Sequence, residues 1–209
     1  MLSWVGLTDF GDAAAMLPAA ALIALWLAAD RAWHQAALWC LGFAASALLV
    51  ALSKIAFLGW GIGIEAIDFT GISGHTMLAV AVLSVGAYVS LHDRGRAIQL
   101  AGAALGAVGG IWIGLSRLVL HLHSMSEVLV GGVVGATLAA SFIWGGRYAN
   151  SARLRPAVLG ALLLLMLATI HGERAPTESL LTRVALALSG RPEPYSHTLW
   201  RAEAAAPLP

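Results

Sequence analysis

Long apolar segments separated by short polar turns are the feature that most constrains this chain. Its mean hydropathy is +0.82, and 11% of its residues are charged, whereas a soluble domain has about 25%. A helix that crosses a bilayer core requires about 20 apolar residues. We therefore predict an all-α polytopic membrane protein, with six transmembrane helices in one bundle. The six segments are roughly 13–29, 35–58, 74–91, 97–116, 125–145 and 155–171.

The segment that follows the sixth apolar run differs in composition. Its leucines and valines fall near one broad face over 178–189, which is typical of a helix at a membrane interface. Gly190 and Pro192 favour an end to this helix. We predict a membrane domain over 1–171 and an interfacial tail over 172–209. We expect the tail helix to rest on lipid rather than to cover a site, and residues 202–209 to be disordered.

The basic residues predict the orientation of the helices. The turns after the first, third and fifth segments contain six arginines, whereas the opposite side contains Lys54 and Arg117 before the tail. Under the positive-inside rule the arginine-rich side is cytoplasmic. We expect a protein of a bacterial inner membrane whose Lys54 side faces the periplasm. No basic residue precedes the first apolar run, so we expect no signal peptide. A net charge of +1 gives no reason to expect a nucleic-acid partner. The six arginines are Arg31, Arg94, Arg96, Arg147, Arg153 and Arg155.

Glycines recur along the fourth and fifth segments. Gly102, Gly106, Gly110 and Gly114 are spaced four apart, and the next segment contains Gly131, Gly132 and Gly135. Small residues at this spacing allow helix backbones to approach closely, so we predict tight helix packing there.

The turn between these two segments is the most polar part of the chain. Glu127 follows His123 by four residues, so on a helix its carboxylate would reach the imidazole. Such a contact fixes the tautomer of the ring and leaves its other nitrogen free as a base or nucleophile. A structural interpretation stays open, because Ser124 and Glu127 also form the S-x-x-E capping box. Arg117 is likewise consistent with a side chain that extends to the membrane interface.

Several polar residues fall at helix ends on the same predicted side. Two cations, two histidines, a carboxylate and the amides of a helix start are typical of an anion site. Ionisable residues at membrane depth are candidates for function. A metal site formed by His75, His121, His123 and Glu127 is the alternative, although cations beside it would repel a metal ion. The residues of the anion site are Lys54, Ser73, His75, Arg117, His123 and Glu127.

Two motifs in this region resemble signatures of a known family. The "SGH" of 73–75 and the "SR" of 116–117, followed after five intervening residues by His123 and after three further residues by Glu127, resemble the type 2 phosphatidic acid phosphatase superfamily. Its signatures are K-x6-R-P, P-S-G-H and S-R-x5-H-x3-D. The order of the motifs and the six-helix plan also agree, over roughly residues 10–171. The placement of the loops is similar to the small bacterial undecaprenyl-pyrophosphate phosphatases.

The resemblance implies a role for each matching residue. His123 matches the nucleophile that forms a phosphohistidine, Glu127 stands at the aspartate that orients it, and His75 matches the general acid. The phosphate-binding positions are Lys54, Ser73, Gly74 and Arg117. The resemblance implies no cofactor and no metal.

Three positions depart from the signatures. Gly61 and Ile62 stand at the arginine and proline of the first, Ile72 stands at the proline of the second, and Glu127 replaces an aspartate. One phosphate-binding cation is therefore absent, and Arg174 and His121 are candidates to replace it.

The resemblance implies a metal-independent phosphatase of the membrane whose partners are membrane lipids and whose substrate is a lipid phosphate. Polyprenyl pyrophosphates and phosphatidate both fit this description. Transfer of the phosphate to another lipid, and a non-catalytic lipid-binding protein with a decayed site, remain as alternatives.

Overall fold

The computed structural model describes residues 4–145 and 176–196, and the regular elements of this part of the chain are helices. The sixth predicted segment, 155–171, lies outside the described residues, as do Arg174 and residues 202–209. Within the described part the predicted segments agree closely with the helices. These are α1 (Trp4–Asp9), α2 (Ala13–Ala29), α3 (Trp33–Trp60), α4 (Gly74–Ser90), α5 (Arg96–Val119), α6 (Met125–Gly145) and α7 (Thr177–Ser189).

The length and composition of these helices confirm an all-α membrane protein. Four helical stretches of the described part are long and apolar enough to cross a bilayer, namely Trp4–Ala29, Trp33–Trp60, Arg96–Val119 and Met125–Gly145. Gly74–Ser90 is a shorter apolar helix of 17 residues.

α4 is the central helix of the bundle. It packs against α2, α3, α5 and α6, and most of its side chains are buried. The glycines of α5 and α6 make this possible. A Cβ atom on Gly110 would lie 2.5 Å from Cα of Val80, and one on Gly135 would lie 2.6 Å from the carbonyl oxygen of Met77. The prediction of tight packing through small residues is therefore confirmed, and it holds the first turn of α4 in a fixed place.

The two ends of the described chain pack on the same bundle. α1 lies against α5, and α2 lies against α3 and α4. α7 packs along α3, where Gly59 allows a close approach, since its Cβ would lie 3.3 Å from the carbonyl oxygen of Ala185. The amide of Tyr195 donates to the carbonyl oxygen of Leu58 over 2.9 Å. The tail is thus attached to α3 by helix packing and by a backbone hydrogen bond.

Candidate active site

His123 and Glu127 form the predicted pair at the start of α6. Nδ1 of His123 lies 2.5 Å from Oε2 of Glu127. Both side chains are largely removed from solvent, with exposed fractions of 9% for His123 and 3% for Glu127. A buried carboxylate at this distance favours a proton on Nδ1, which leaves Nε2 with its lone pair.

The Glu127 carboxylate is itself held in place from two sides. Its Oε1 accepts from the amide of Thr70 at 2.8 Å and from the Thr70 hydroxyl at 2.5 Å. Its Oε2 also accepts from the amide of Ser124 at 3.2 Å, while Oγ of Ser124 accepts from the amide of Glu127 at 3.4 Å. The capping box therefore exists, and the same carboxylate contacts the imidazole. The two interpretations of Glu127 are compatible.

The loop before α4 is tied to the same carboxylate-bearing helix. The amide of Ser73 donates to the carbonyl oxygen of Glu127 at 3.2 Å, and the Ser73 hydroxyl lies 2.9 Å from that of Thr76. The amide of Ile72 donates to Oγ of Ser53 at 3.0 Å. The family motif has proline at position 72, and proline has no amide hydrogen to donate. The hydrogen bond from Ile72 to Ser53 therefore orders the turn that the proline ring would otherwise make rigid. Gly74 then begins α4.

A cavity of about 270 Å³ opens beside the pair. Lys54, Thr70, His123 and Glu127 line it from the bundle, and Glu178, Leu181 and Tyr195 line it from the tail. Nζ of Lys54 lies 3.6 Å from Oε1 of Glu178. The expectation that the tail helix does not cover a site is therefore wrong, while its contact with lipid stays a prediction, because Leu180, Val184 and Leu188 are exposed. Gly59 allows α7 to pack closely on α3, and its first turn forms part of the wall of the site.

His75 and Arg117 contact the N-terminal segment. Nε2 of His75 lies 3.4 Å from Oδ2 of Asp12. Nη1 of Arg117 donates to the hydroxyl of Thr8 at 3.3 Å, and both of these residues are buried. Arg117 and His123 are close enough to His75 for their charges to act on its ring. His75 is therefore near both His123 and Arg117.

The rival metal site does not assemble in the described part of the chain. Across residues 4–145 and 176–196, no three His, Cys, Asp or Glu side chains are arranged to hold a metal ion. His121 is exposed and has a φ of 55°. It is not part of the cavity wall, so it is not placed to replace the missing motif arginine.

The structure explains why glycine stands at position 61, where the motif has arginine. It ends α3 with a φ of 68°, a conformation that favours glycine. A Cβ at this position would lie 3.0 Å from Cε1 of Tyr195. The Arg191 guanidinium carbon lies 3.9 Å from the centre of the Tyr195 ring. The tail thus occupies the space beside the position where the motif has its arginine.

Sequence reasoning missed several residues around the site. Thr8, Asp12, Thr70, Glu178 and Tyr195 reach it through tertiary packing. Asp12 had a local signal, because it directly precedes an apolar helix, as an N-cap residue does. The others had no signal at the level of sequence spacing.

The fold and the site define an α-helical membrane protein with a buried histidine–carboxylate pair beside a cavity that Lys54 and Glu178 also line. The model of the PAP2 superfamily matches residues 65–151. An uncharacterised 22.5 kDa protein in the cps region of Klebsiella pneumoniae is 32% identical over 218 aligned residues, which cover 94% of this chain and 97% of that protein. The chain belongs to the PAP2 superfamily, whose members are phosphatases. No solved structure gives a significant match.

Proposed function

We propose that the protein is a membrane phosphatase that removes phosphate from a lipid phosphomonoester or pyrophosphate through a phosphohistidine intermediate. The observation that carries the proposal is the His123–Glu127 pair beside the cavity. Glu127 holds Nδ1 of the ring, Thr70 holds Glu127, and Lys54 supplies a cation in the cavity wall.

In the first step Nε2 of His123 attacks phosphorus. The N–P bond forms as the bond from phosphorus to the leaving oxygen breaks, and His75 gives its proton to that oxygen. Glu127 stabilises the positive charge that develops on the His123 ring. Lys54 and Arg117, with the amide of Gly74 at the start of α4, stabilise the charge on the phosphoryl oxygens.

In the second step water attacks the phosphohistidine. His75, now neutral, accepts a proton from this water, the N–P bond breaks, and its electron pair returns to Nε2 of His123. Inorganic phosphate leaves and the site is restored. Each proton that His75 gives in the first step is regained in the second.

Nζ of Lys54 forms an ion pair with the carboxylate of Glu178. A substrate phosphate that binds Lys54 takes the place of this carboxylate. Glu178 is 81% exposed in its side chain, so it can move away from Lys54 into solvent at little cost.

Apolar side chains at the cavity suit a lipid. Phe57, Leu58, Leu122 and Leu181 line it beside the polar groups, which matches a substrate whose phosphate is joined to a hydrocarbon chain. The charge distribution favours a periplasmic site in a bacterial inner membrane, because Arg31, Arg94 and Arg96 lie in the turns away from the site.

The test is phosphate release by the purified protein from a panel of lipid phosphates in detergent micelles. The panel contains a polyprenyl pyrophosphate, phosphatidate and phosphatidylglycerol phosphate, and His123→Ala serves as the inactive control. Release that depends on His123 supports the proposal. Phosphate that appears on a second lipid instead of in solution would identify a phosphotransferase, and no turnover of any substrate would favour a lipid-binding role.

A further inference from the structure

An aspartate that belongs to neither motif lies against the proposed general acid. Asp12 is the N-cap residue of α2, and its Oδ1 accepts from the amide of Ala14 at 2.8 Å. Its other oxygen, Oδ2, lies 3.4 Å from Nε2 of His75. Asp12 is buried, with 8% of its surface exposed. This carboxylate thus contacts both a helix start and an imidazole.

The helix start fixes both the position and the charge of Asp12. The free amides and the dipole at the N-terminus of a helix stabilise an anion. The bond to the amide of Ala14 restricts rotation of the carboxylate, so Oδ2 is directed by the backbone of α2. Gly11 brings the chain close to α4, since its Cβ would lie 3.5 Å from Cβ of His75.

The same N-terminal segment also supports the buried cation of the site. Thr8 is 1% exposed, and its hydroxyl accepts from Nη1 of Arg117 at 3.3 Å. Residues 8–12 therefore contact two of the residues that the motifs place in the site.

We propose that Asp12 is a positioning residue that orients His75 as the general acid and favours the protonated form of its ring. This inference rests on the proposed phosphatase function. With Nε2–H held by Asp12, Nδ1 carries the proton that the leaving oxygen requires. The negative charge of Asp12 opposes the effects of Arg117 and His123, the other charged or titratable groups that act on the His75 ring. Asp12–His75 and Glu127–His123 are thus two carboxylate–imidazole pairs with different tasks.

The decisive variant is Asp12→Asn. Asparagine caps a helix about as well as aspartate does, so the Ala14 contact and the fold should persist. Its amide group has no charge, and an NH2 that faces Nε2 of His75 favours the neutral tautomer with the proton on Nδ1. Asp12→Ala removes both the charge and the helix cap. Comparison of this variant with Asp12→Asn separates the effect on folding from the effect on His75.

A matched control exists at the other end of α4. Nε2 of His92 lies 2.8 Å from Oδ1 of Asp93, so Asp93→Asn removes the charge from another aspartate–histidine pair. This pair follows the last turn of α4, away from the site.

The first readout is the dependence of kcat/KM on the leaving group of the substrate. A general acid assists departure of an alkoxide, whereas p-nitrophenolate leaves without a proton. We expect Asp12→Asn to lower kcat/KM for short-chain phosphatidate on the order of 10²-fold, and to change kcat/KM for p-nitrophenyl phosphate by less than about threefold. Asp93→Asn should change neither.

A second readout does not depend on turnover. In 15N-histidine NMR spectra of the protein in micelles, assigned with a His75→Gln variant, Asp12→Asn should shift the ring signals of His75 and leave those of His92 in place. Equal losses on both substrates, full activity in Asp12→Asn, or unchanged His75 signals would each overturn the inference. If the wild type hydrolyses neither substrate, the phosphatase proposal fails, and the spectra still decide whether Asp12 sets the state of His75.

Discussion

Replacement of Glu127 by glutamine separates the catalytic role of this residue from its role in capping. In the structure Oε1 accepts two hydrogen bonds from Thr70, and Oε2 faces Nδ1 of His123 and the amide of Ser124. A glutamine can keep the Thr70 bonds with its carbonyl oxygen. Its NH2 then faces Nδ1 of His123, which must accept, so the ring proton moves to Nε2. The nitrogen that attacks phosphorus loses its lone pair.

Two effects determine the expected decrease in kcat, namely the loss of the negative charge and the change of tautomer. A hydrogen bond to a charged group contributes about 1.5–3 kcal/mol, and about 1.4 kcal/mol corresponds to a tenfold change in rate. The charge that stabilises the imidazolium therefore accounts for roughly 10- to 100-fold. The unfavourable tautomer adds a further factor of about ten, as the comparable change in a serine protease triad, about 10⁴-fold in total, illustrates. We expect kcat of Glu127→Gln to fall on the order of 10²- to 10³-fold.

The assay is phosphate release on the best lipid of the panel, with thermal unfolding in the same detergent measured in parallel. Oγ of Ser124 can still accept from the amide of residue 127, but the glutamine NH2 cannot accept from the amide of Ser124. The loss of part of the cap should cost no more than about 2 kcal/mol, so the unfolding temperature should fall only modestly. Glu65→Gln is a matched control, because Glu65 is exposed in the loop before the site. Glu127→Asp keeps the charge and should retain more activity than Glu127→Gln.

Two results would refute this reasoning. Normal turnover by Glu127→Gln would remove the carboxylate from the mechanism and leave capping as its role. A loss of turnover that parallels a loss of folded protein would show that Glu127 acts through stability.

Three further predictions concern the missing arginine, metal and topology. Gly61→Arg restores the motif residue, yet it should destabilise the fold by about 1–3 kcal/mol, because φ is 68° and Tyr195 fills the space. The unfolding temperature and the rate of phosphate release should both decrease, and a gain in activity would contradict the prediction. Phosphate release should persist in excess chelator, whereas a loss that zinc or manganese restores would indicate a metal site. A reporter fused after Arg94 should be active in the cytoplasm and one after Gly190 in the periplasm; the reverse pattern would place the site in the other compartment.

The helices of the described part were predictable because the bilayer imposes their length. Apolar runs of the required length gave the bounds of α2 and α6 to the residue and those of α3, α4 and α5 within three residues. The His123–Glu127 contact was predictable for a similar reason, since a separation of four residues on a helix determines it. Both follow from local geometry.

The surroundings of the pair depend on packing between distant segments. Thr70 and Glu127 are separated by 57 residues, and Thr8 and Arg117 by 109. No periodicity in either segment specifies such a contact. The apolar pattern of the tail helix did not indicate that the helix lines a cavity, because Leu181 lies at the cavity while Leu180, Val184 and Leu188 of the same helix are exposed. Gly59, which permits the packing of this helix on α3, lies one residue beyond the predicted segment 35–58 and has no pattern of its own.

The attachment of the tail to α3 has a consequence for biosynthesis. Residues from the beginning, the middle and the end of the described chain surround one site, and Tyr195 completes the cavity wall. A ribosome makes α3 long before Tyr195. The carbonyl oxygen of Leu58 can therefore accept from the amide of Tyr195 only after the intervening helices have been made. The wall of the cavity beside His123 and Glu127 is likewise completed late in synthesis, after the residues of the bundle that line it have been made.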